Sequence, residues 1–239
     1  VMTEERTGSN IHGGNIWKLA REKGIEPSEI LDFSASINPL GPPSWLRPVL
    51  ARNTAYLRHY PDPDCTVFRN AVASTFSVPV ETVVAGNGST EIFHYLFRIL
   101  NAKKAVIPVP SYSDYARMAE SAGLRAEMPV TNEADAFRVN LETLASALKG
   151  DEIVVLGQPN NPTGCLNNPA DLRRLANQHP ATYFVIDESF IEFVEHSDSL
   201  INNRPANVIV VRSLTKFYAI PGLRIGFAVA DAAISEKIR

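Results

Sequence analysis

The chain has 239 residues, 45% of them hydrophobic and 21% charged, with a formal net charge of −3, the balance of an ordinary globular protein of one large domain or one and a half. The near-neutral charge and the lack of a Lys/Arg cluster leave no basic footprint for nucleic acid, and the apolar runs Ile153–Leu156 and Val208–Val211 fall far short of the roughly 20 residues that span a bilayer. The polar start Val1–Asn10 does not read as a secretory signal, which points to the cytoplasm, and Cys65 and Cys165 lack any CxxC or metal-ligand spacing, which argues against a zinc site or a disulfide framework.

In chain order, residues 1–40 read as an N-terminal arm with a small-domain segment and residues 41–239 as one large domain. Across residues 34–64, Pro39, Pro42, Pro43, Pro48, Pro61 and Pro63 favour an extended arm with turns over a packed element. From about residue 66, helical periods alternate with short β-rich runs, the pattern of an α/β domain with a mainly parallel sheet. The expected strands are Thr82–Ala85, Ala105–Pro108, Arg125–Pro129, Glu152–Gly157, Thr182–Ile186, Val208–Arg212 and Ile225–Val229. The expected helices are Ser89–Leu100, Ser113–Ala122, Leu141–Leu148 and Pro169–Gln178. Continuous apolar runs suit strands buried on both faces, so functional residues belong in the loops beyond the strand ends. The chain stops at Ile238-Arg239, within what reads as a helix just begun, and the expectation is a truncated piece of a longer protein.

Gly86-Asn87-Gly88-Ser89-Thr90-Glu91 lies between an apolar strand and an amphipathic helix. Small residues and helix N–H groups there suit an anion, although Ser89 or Thr90 would also cap any helix. A dinucleotide fingerprint would need glycine where Glu91 stands, and Thr215-Lys216 lacks the glycines of a Walker loop. Asn160-Asn161-Pro162-Thr163-Gly164 is a turn by composition, and its place after a strand end gives it a functional reading too. Asp187-Glu188 closes an apolar strand, where a buried carboxylate needs a cation or hydrogen bonds. No ligand cluster accompanies it to hold a metal, and a protonated pyridine nitrogen is another possible partner. In Ser213-Leu214-Thr215-Lys216-Phe217-Tyr218, apolar neighbours favour the neutral amine of Lys216, which suits covalent bonding to a carbonyl, while Ser213 and Arg224 suit a phosphate. Together, a phosphate cradle, a strand-end carboxylate, a lysine and an arginine describe a site for pyridoxal 5′-phosphate.

On His12-Gly13-Gly14-Asn15, on Asp32 through Gly41, and on Arg212 through Arg224, the sequence resembles the fold-type I aminotransferase family, from about Asp32 to its end with a shorter match around His12. Within the family it is similar to the threonine-phosphate decarboxylase branch, near the histidinol-phosphate aminotransferases. The resemblance implies a large domain with a mainly parallel seven-stranded sheet between helices, an N-terminal arm, and a C-terminal small domain that is missing here. It implies that Lys216 bonds pyridoxal 5′-phosphate covalently, that Asp187 keeps the pyridine nitrogen protonated, that Asn161 bonds the 3′ oxygen, and that Tyr112 stacks on the ring. Ser89, Thr90, Ser213 and Arg224 would hold the phosphate, and Tyr60 would reach the cofactor phosphate of a second subunit in a homodimer. His12, Gly13, Asn161 and Ser36 would contact a small phosphorylated amino acid, Ser36 standing where the family has asparagine. Phe190 takes the place of a tyrosine that bonds the 3′ oxygen in many aminotransferases, which favours a decarboxylase over a transaminase. The implied reaction is decarboxylation of L-threonine O-3-phosphate to (R)-1-amino-2-propanol O-2-phosphate in cobalamin biosynthesis. Histidinol-phosphate or related aminotransferase activity is the alternative, and a non-catalytic cofactor-binding domain the remote one.

Overall fold

The computed structural model describes residues 13–239, whose centre is a seven-stranded sheet. Its strands are β1 (Val83–Asn87), β2 (Lys104–Val106), β3 (Arg125–Glu127), β4 (Glu152–Gly157), β5 (Tyr183–Asp187), β6 (Val208–Ser213) and β7 (Ile225–Val229), in the spatial order β1-β7-β6-β5-β4-β2-β3. From β3 to β6 every neighbouring pair is parallel, while β7 runs antiparallel to both β6 and β1. Parallel strands need crossovers. Helix α4 (Ser89–Ile99) carries the chain from β1 across to β2, helices α5 (Asp114–Ser121), α6 (Leu141–Ala147) and α7 (Pro169–Gln178) lead into β3, β4 and β5, and β5 and β6 are joined without an α-helix. All seven expected strands and all four expected helices are present, their ends moved by one or two residues at most.

Alternation along the central strands divides the core between two faces. Ile153 and Val155 of β4 pack with Phe93, Leu96 and Met118 on one side, and Val154 and Leu156 pack with Leu172, Leu175 and Phe184 on the other. Both faces are covered, which is why β4 and β6 read as unbroken apolar runs.

The proline-rich stretch departs from the extended arm expected of it. Helix α1 (Ile16–Lys23) precedes it, α2 (Leu46–Asn53) lies within it, and α3 (Thr66–Phe76) follows. Pro48 sits in the first turn of α2, where a missing N–H breaks no intrahelical bond, so proline is no obstacle there. Helix α1 starts at Asn15, whose side chain accepts the Lys18 N–H at 3.0 Å. Helix α3 packs on the sheet through Phe68 and Phe76, both against Phe227 of β7. The final helix, α8 (Ala232–Ile238), is capped by Asp231. No described helix is long and apolar enough to cross a membrane.

Candidate active site

The carboxyl ends of β4, β5 and β6 lie side by side, Gly157 opposite Asp187 and Asp187 opposite Val211. This register gathers Asp187 and Ser213 at the strand ends with the loops that carry Asn161 and Lys216. With the starts of α4 and α5 they enclose a cavity.

One end of the cavity is built for an anion. The N-cap of α4 is Gly88, at φ +76°, and no side chain caps the helix, so Ser89 and Thr90 do not serve as ordinary caps. A Cβ on Gly88 would lie 2.5 Å from Nη2 of Arg224, and one on Gly226 would lie 2.6 Å from the Ser89 nitrogen. The two glycines therefore let a guanidinium and the edge of β7 close on the helix start. Ser89, Thr90, Ser213 and Arg224 line this end, where the helix dipole and the Arg224 guanidinium favour negative charge.

Asp187 forms the opposite end. It is buried, its Oδ2 accepting the Tyr115 hydroxyl at 2.6 Å and its Oδ1 the Ser189 N–H at 2.9 Å. Burial, reinforced by the Asp187 charge, pushes the Tyr115 phenol well above its ordinary range, so Tyr115 stays a donor. Behind Asp187, the fully buried Glu188 accepts from Leu200 N–H, Ser199 Oγ and Arg212, and Arg212 also pairs with Glu192. Burial pushes the Glu188 carboxyl up, and the Arg212 guanidinium works against that shift. This ion pair ties the end of β5 to the end of β6, immediately beside Asp187 and Ser213.

Lys216 stands between the two ends. Its amine donates to Ser213 Oγ at 3.0 Å and lies 6.0 Å from the Phe190 ring centroid. Burial lowers its proton affinity, Asp187 partly restores it, and Arg224 lowers it further. Tyr112 stands on the cavity wall, edge-on to Tyr115 at 5.3 Å, its hydroxyl donating to Asp114 at 2.8 Å. Nδ2 of Asn160 donates to the Pro110 carbonyl at 2.9 Å and to Thr163 Oγ1 at 2.8 Å, which fixes the turn that presents Asn161 to the cavity.

The structure thus brings together Ser89, Thr90, Tyr112, Asn161, Asp187, Ser213, Lys216 and Arg224. Ser36 lies instead on a second cavity, which shares Pro159, Asn161 and Phe190 with the first. Gly13 packs against the Ser34 main chain and lines neither cavity. His12 lies outside the described residues. Tyr60 is 100% exposed and lines neither cavity of its own chain. Sequence reasoning missed Tyr115 and Ser189. Tyr112 precedes α5 and Tyr115 lies within it, so no spacing in the sequence marks Tyr115 as a partner of Asp187.

These residues fit pyridoxal 5′-phosphate. The donor-rich end suits its phosphate, the Lys216 amine, with its proton affinity lowered by burial, its carbonyl, and the buried carboxylate its ring nitrogen, with aromatic side chains between. A cradle that a Cβ at Gly88 or Gly226 would fill adds a steric reason.

A model of the family "Aminotransferase class I and II" matches residues 28–239. The chain is 37% identical over 231 residues to the adenosylcobalamin biosynthesis bifunctional protein CobDQ of Leptospira interrogans, covering 95% of this chain and 27% of that one. It is 36% identical over 237 residues to the threonine-phosphate decarboxylase of Salmonella typhimurium, covering 97% of this chain and 65% of that one. Histidinol-phosphate aminotransferases of Archaeoglobus fulgidus and Ralstonia nicotianae are each 31% identical, covering 88% and 96% of this chain and 60% and 63% of theirs. Among solved structures, the L-threonine-O-3-phosphate decarboxylase of Porphyromonas gingivalis aligns with a TM-score of 0.76 at 29% identity, over 87% of this chain and 62% of that one. The chain therefore spans less than two thirds of the length of each of these proteins.

Proposed function

The chain belongs to the class I and II aminotransferase family, its cofactor is pyridoxal 5′-phosphate, and we propose that the protein containing it decarboxylates L-threonine O-3-phosphate to (R)-1-amino-2-propanol O-2-phosphate in cobalamin biosynthesis. The observation that carries this reading is the 36% identity to a threonine-phosphate decarboxylase along 97% of the chain. A feature of the site agrees with it: Phe190 brings no hydroxyl to the cavity wall beside Lys216. We further propose a homodimer in the cytoplasm, with Tyr60 serving the second subunit's site.

When bound, pyridoxal 5′-phosphate supplies an electron sink for the pair left at Cα when a bond to that carbon breaks. Asp187, held by Tyr115 and the Ser189 N–H, would offer its carboxylate to the ring nitrogen. Ser89, Thr90, Ser213 and Arg224 would hold the phosphate by charge-assisted bonds. Tyr112 would pack on the ring and Asn161 would donate to its 3′ oxygen. Which bond breaks depends on how the substrate is turned, so the walls around Asn161, Ser36 and Phe190 set the reaction. The substrate carboxylate leaves as carbon dioxide, and a proton takes its place at Cα. Lys216, whose proton affinity burial lowers, is the group placed to deliver that proton.

The test is incubation of the full-length protein and cofactor with L-threonine O-3-phosphate, without 2-oxoglutarate. Carbon dioxide and aminopropanol phosphate, released by the protein and not by its Lys216→Ala variant, are the expected products. The family's other reading is a histidinol-phosphate aminotransferase, favoured by the relatives at up to 31% identity. It requires no carbon dioxide release and glutamate from histidinol phosphate once 2-oxoglutarate is added. Absence of both products would leave a cofactor-binding domain without turnover.

A further inference from the structure

Lys216 lies in the turn between β6 and β7, outside strand and helix. Within the turn, Ala219 N–H donates to the Lys216 carbonyl at 3.2 Å and Ile220 N–H to the Thr215 carbonyl at 2.9 Å. A further restraint comes from far away in the sequence. Asn38 N–H donates to the Lys216 carbonyl at 3.1 Å, and Asn38 Nδ2 donates to the Phe217 carbonyl at 2.8 Å.

Both ends of the Asn38 side-chain amide are bonded, which fixes its orientation. Its Oδ1 accepts the Leu40 N–H at 3.0 Å, while Nδ2 meets a carbonyl that can only accept. One end of the side chain therefore shapes its own turn and the other grips the lysine turn. The same segment, Ser36 to Pro39, forms a wall of the second cavity opposite Asn161 and Phe190. The lysine and that wall are thereby joined as one piece.

We propose that Asn38 is a positioning residue for Lys216, its Nδ2 bond to the Phe217 carbonyl holding the lysine turn at a fixed place against the wall of the second cavity. The proposal rests on Lys216 being the residue that bonds the cofactor. Asn38 itself exchanges no proton. Its contribution is to restrict where the amine can go, which matters because catalysis falls steeply when a reacting group is displaced by even an ångström.

Aspartate separates the two jobs of the side chain. Asn38→Asp keeps an acceptor for the Leu40 N–H and loses the donor to Phe217, whereas Asn38→Ala loses both. The full-length protein and both variants are loaded with pyridoxal 5′-phosphate. Three readouts follow: the pH midpoint of the visible band of the lysine-linked cofactor, kcat and KM on L-threonine O-3-phosphate, and thermal unfolding without cofactor to confirm folding. Loss of one hydrogen bond predicts about a ten-fold fall in kcat in both variants, with KM changed less than about two-fold. The band's midpoint should move by about half a pH unit in both, since its environment has changed. A wild-type midpoint and wild-type kcat in Asn38→Asp, with a defect in Asn38→Ala alone, would reduce the residue to support of its own turn and overturn the proposal. Failure of the unaltered protein to form a band that Lys216→Ala lacks would overturn the reading of Lys216 as well.

Discussion

The Tyr115 hydroxyl offers the sharpest test of how Asp187 is held. Tyr115→Phe removes one oxygen and leaves the ring packed against Phe93, 5.1 Å between centroids. Asp187 is 8% exposed, so solvent poorly replaces a donor lost at 2.6 Å. A hydrogen bond to a charged group contributes about 1.5–3 kcal/mol, and loss of it without replacement should cost the cofactor-free protein that much. Each kcal/mol shifts the melting temperature of a chain of this size by about 2–4 °C, so a fall of roughly 3–12 °C is expected. With cofactor bound the loss should be smaller, because a protonated ring nitrogen supplies Asp187 with a new donor. Thermal unfolding of both forms, with and without saturating pyridoxal 5′-phosphate, should therefore show a wider gap for the variant than for the unaltered protein. A variant that melts normally without cofactor, or that loses as much with it as without, would refute the assignment of Asp187 as the ring-nitrogen partner held by Tyr115.

Four further tests follow from the same geometry. Because burial holds the proton affinity of Lys216 below its ordinary value near 10.5, the folded state binds fewer protons than the unfolded one between the two values, and stability should rise with pH across that window. Denaturant titrations should show that rise in the cofactor-free protein and a flatter profile in Lys216→Met. Labelling of Lys216 by a small aldehyde, followed by mass spectrometry, should reach its midpoint at higher pH in Arg224→Ala, which removes a repelling charge, and at lower pH in Asp187→Asn, which removes an attracting one. Arg212→Met should cost about 3–5 kcal/mol in denaturant unfolding because it strands Glu188, and a Glu188→Met, Arg212→Met pair should recover most of that loss. Gly88→Ala places a methyl group 2.5 Å from the Arg224 guanidinium at a φ of +76°, so cofactor affinity measured by absorbance titration should fall about ten-fold or more.

The contrast between Asp187 and Tyr115 explains which parts of this protein could be read from its sequence. The strands were legible because burial on both faces leaves runs such as Ile153–Leu156, and the chemistry was legible because the parallel strands deliver Asn161, Asp187 and Lys216 just beyond their carboxyl ends. Helices α1, α2 and α3 were not. They bury little: Ala20 is the one buried residue of α1 and Val72 that of α3, and in α2 no residue is buried, so no helical period of core positions is printed in the sequence. The donors that decide how the site residues behave were equally hidden. Tyr115 meets Asp187 across 72 positions and Asn38 meets Phe217 across 179, and neither pairing follows any local rule of spacing. Charge at a strand end advertises itself in the sequence, because a buried carboxylate or lysine is costly and therefore informative. The neutral groups that position it are common residues in ordinary contexts, and only the register of the sheet, which sets which loops face each other, reveals what they do.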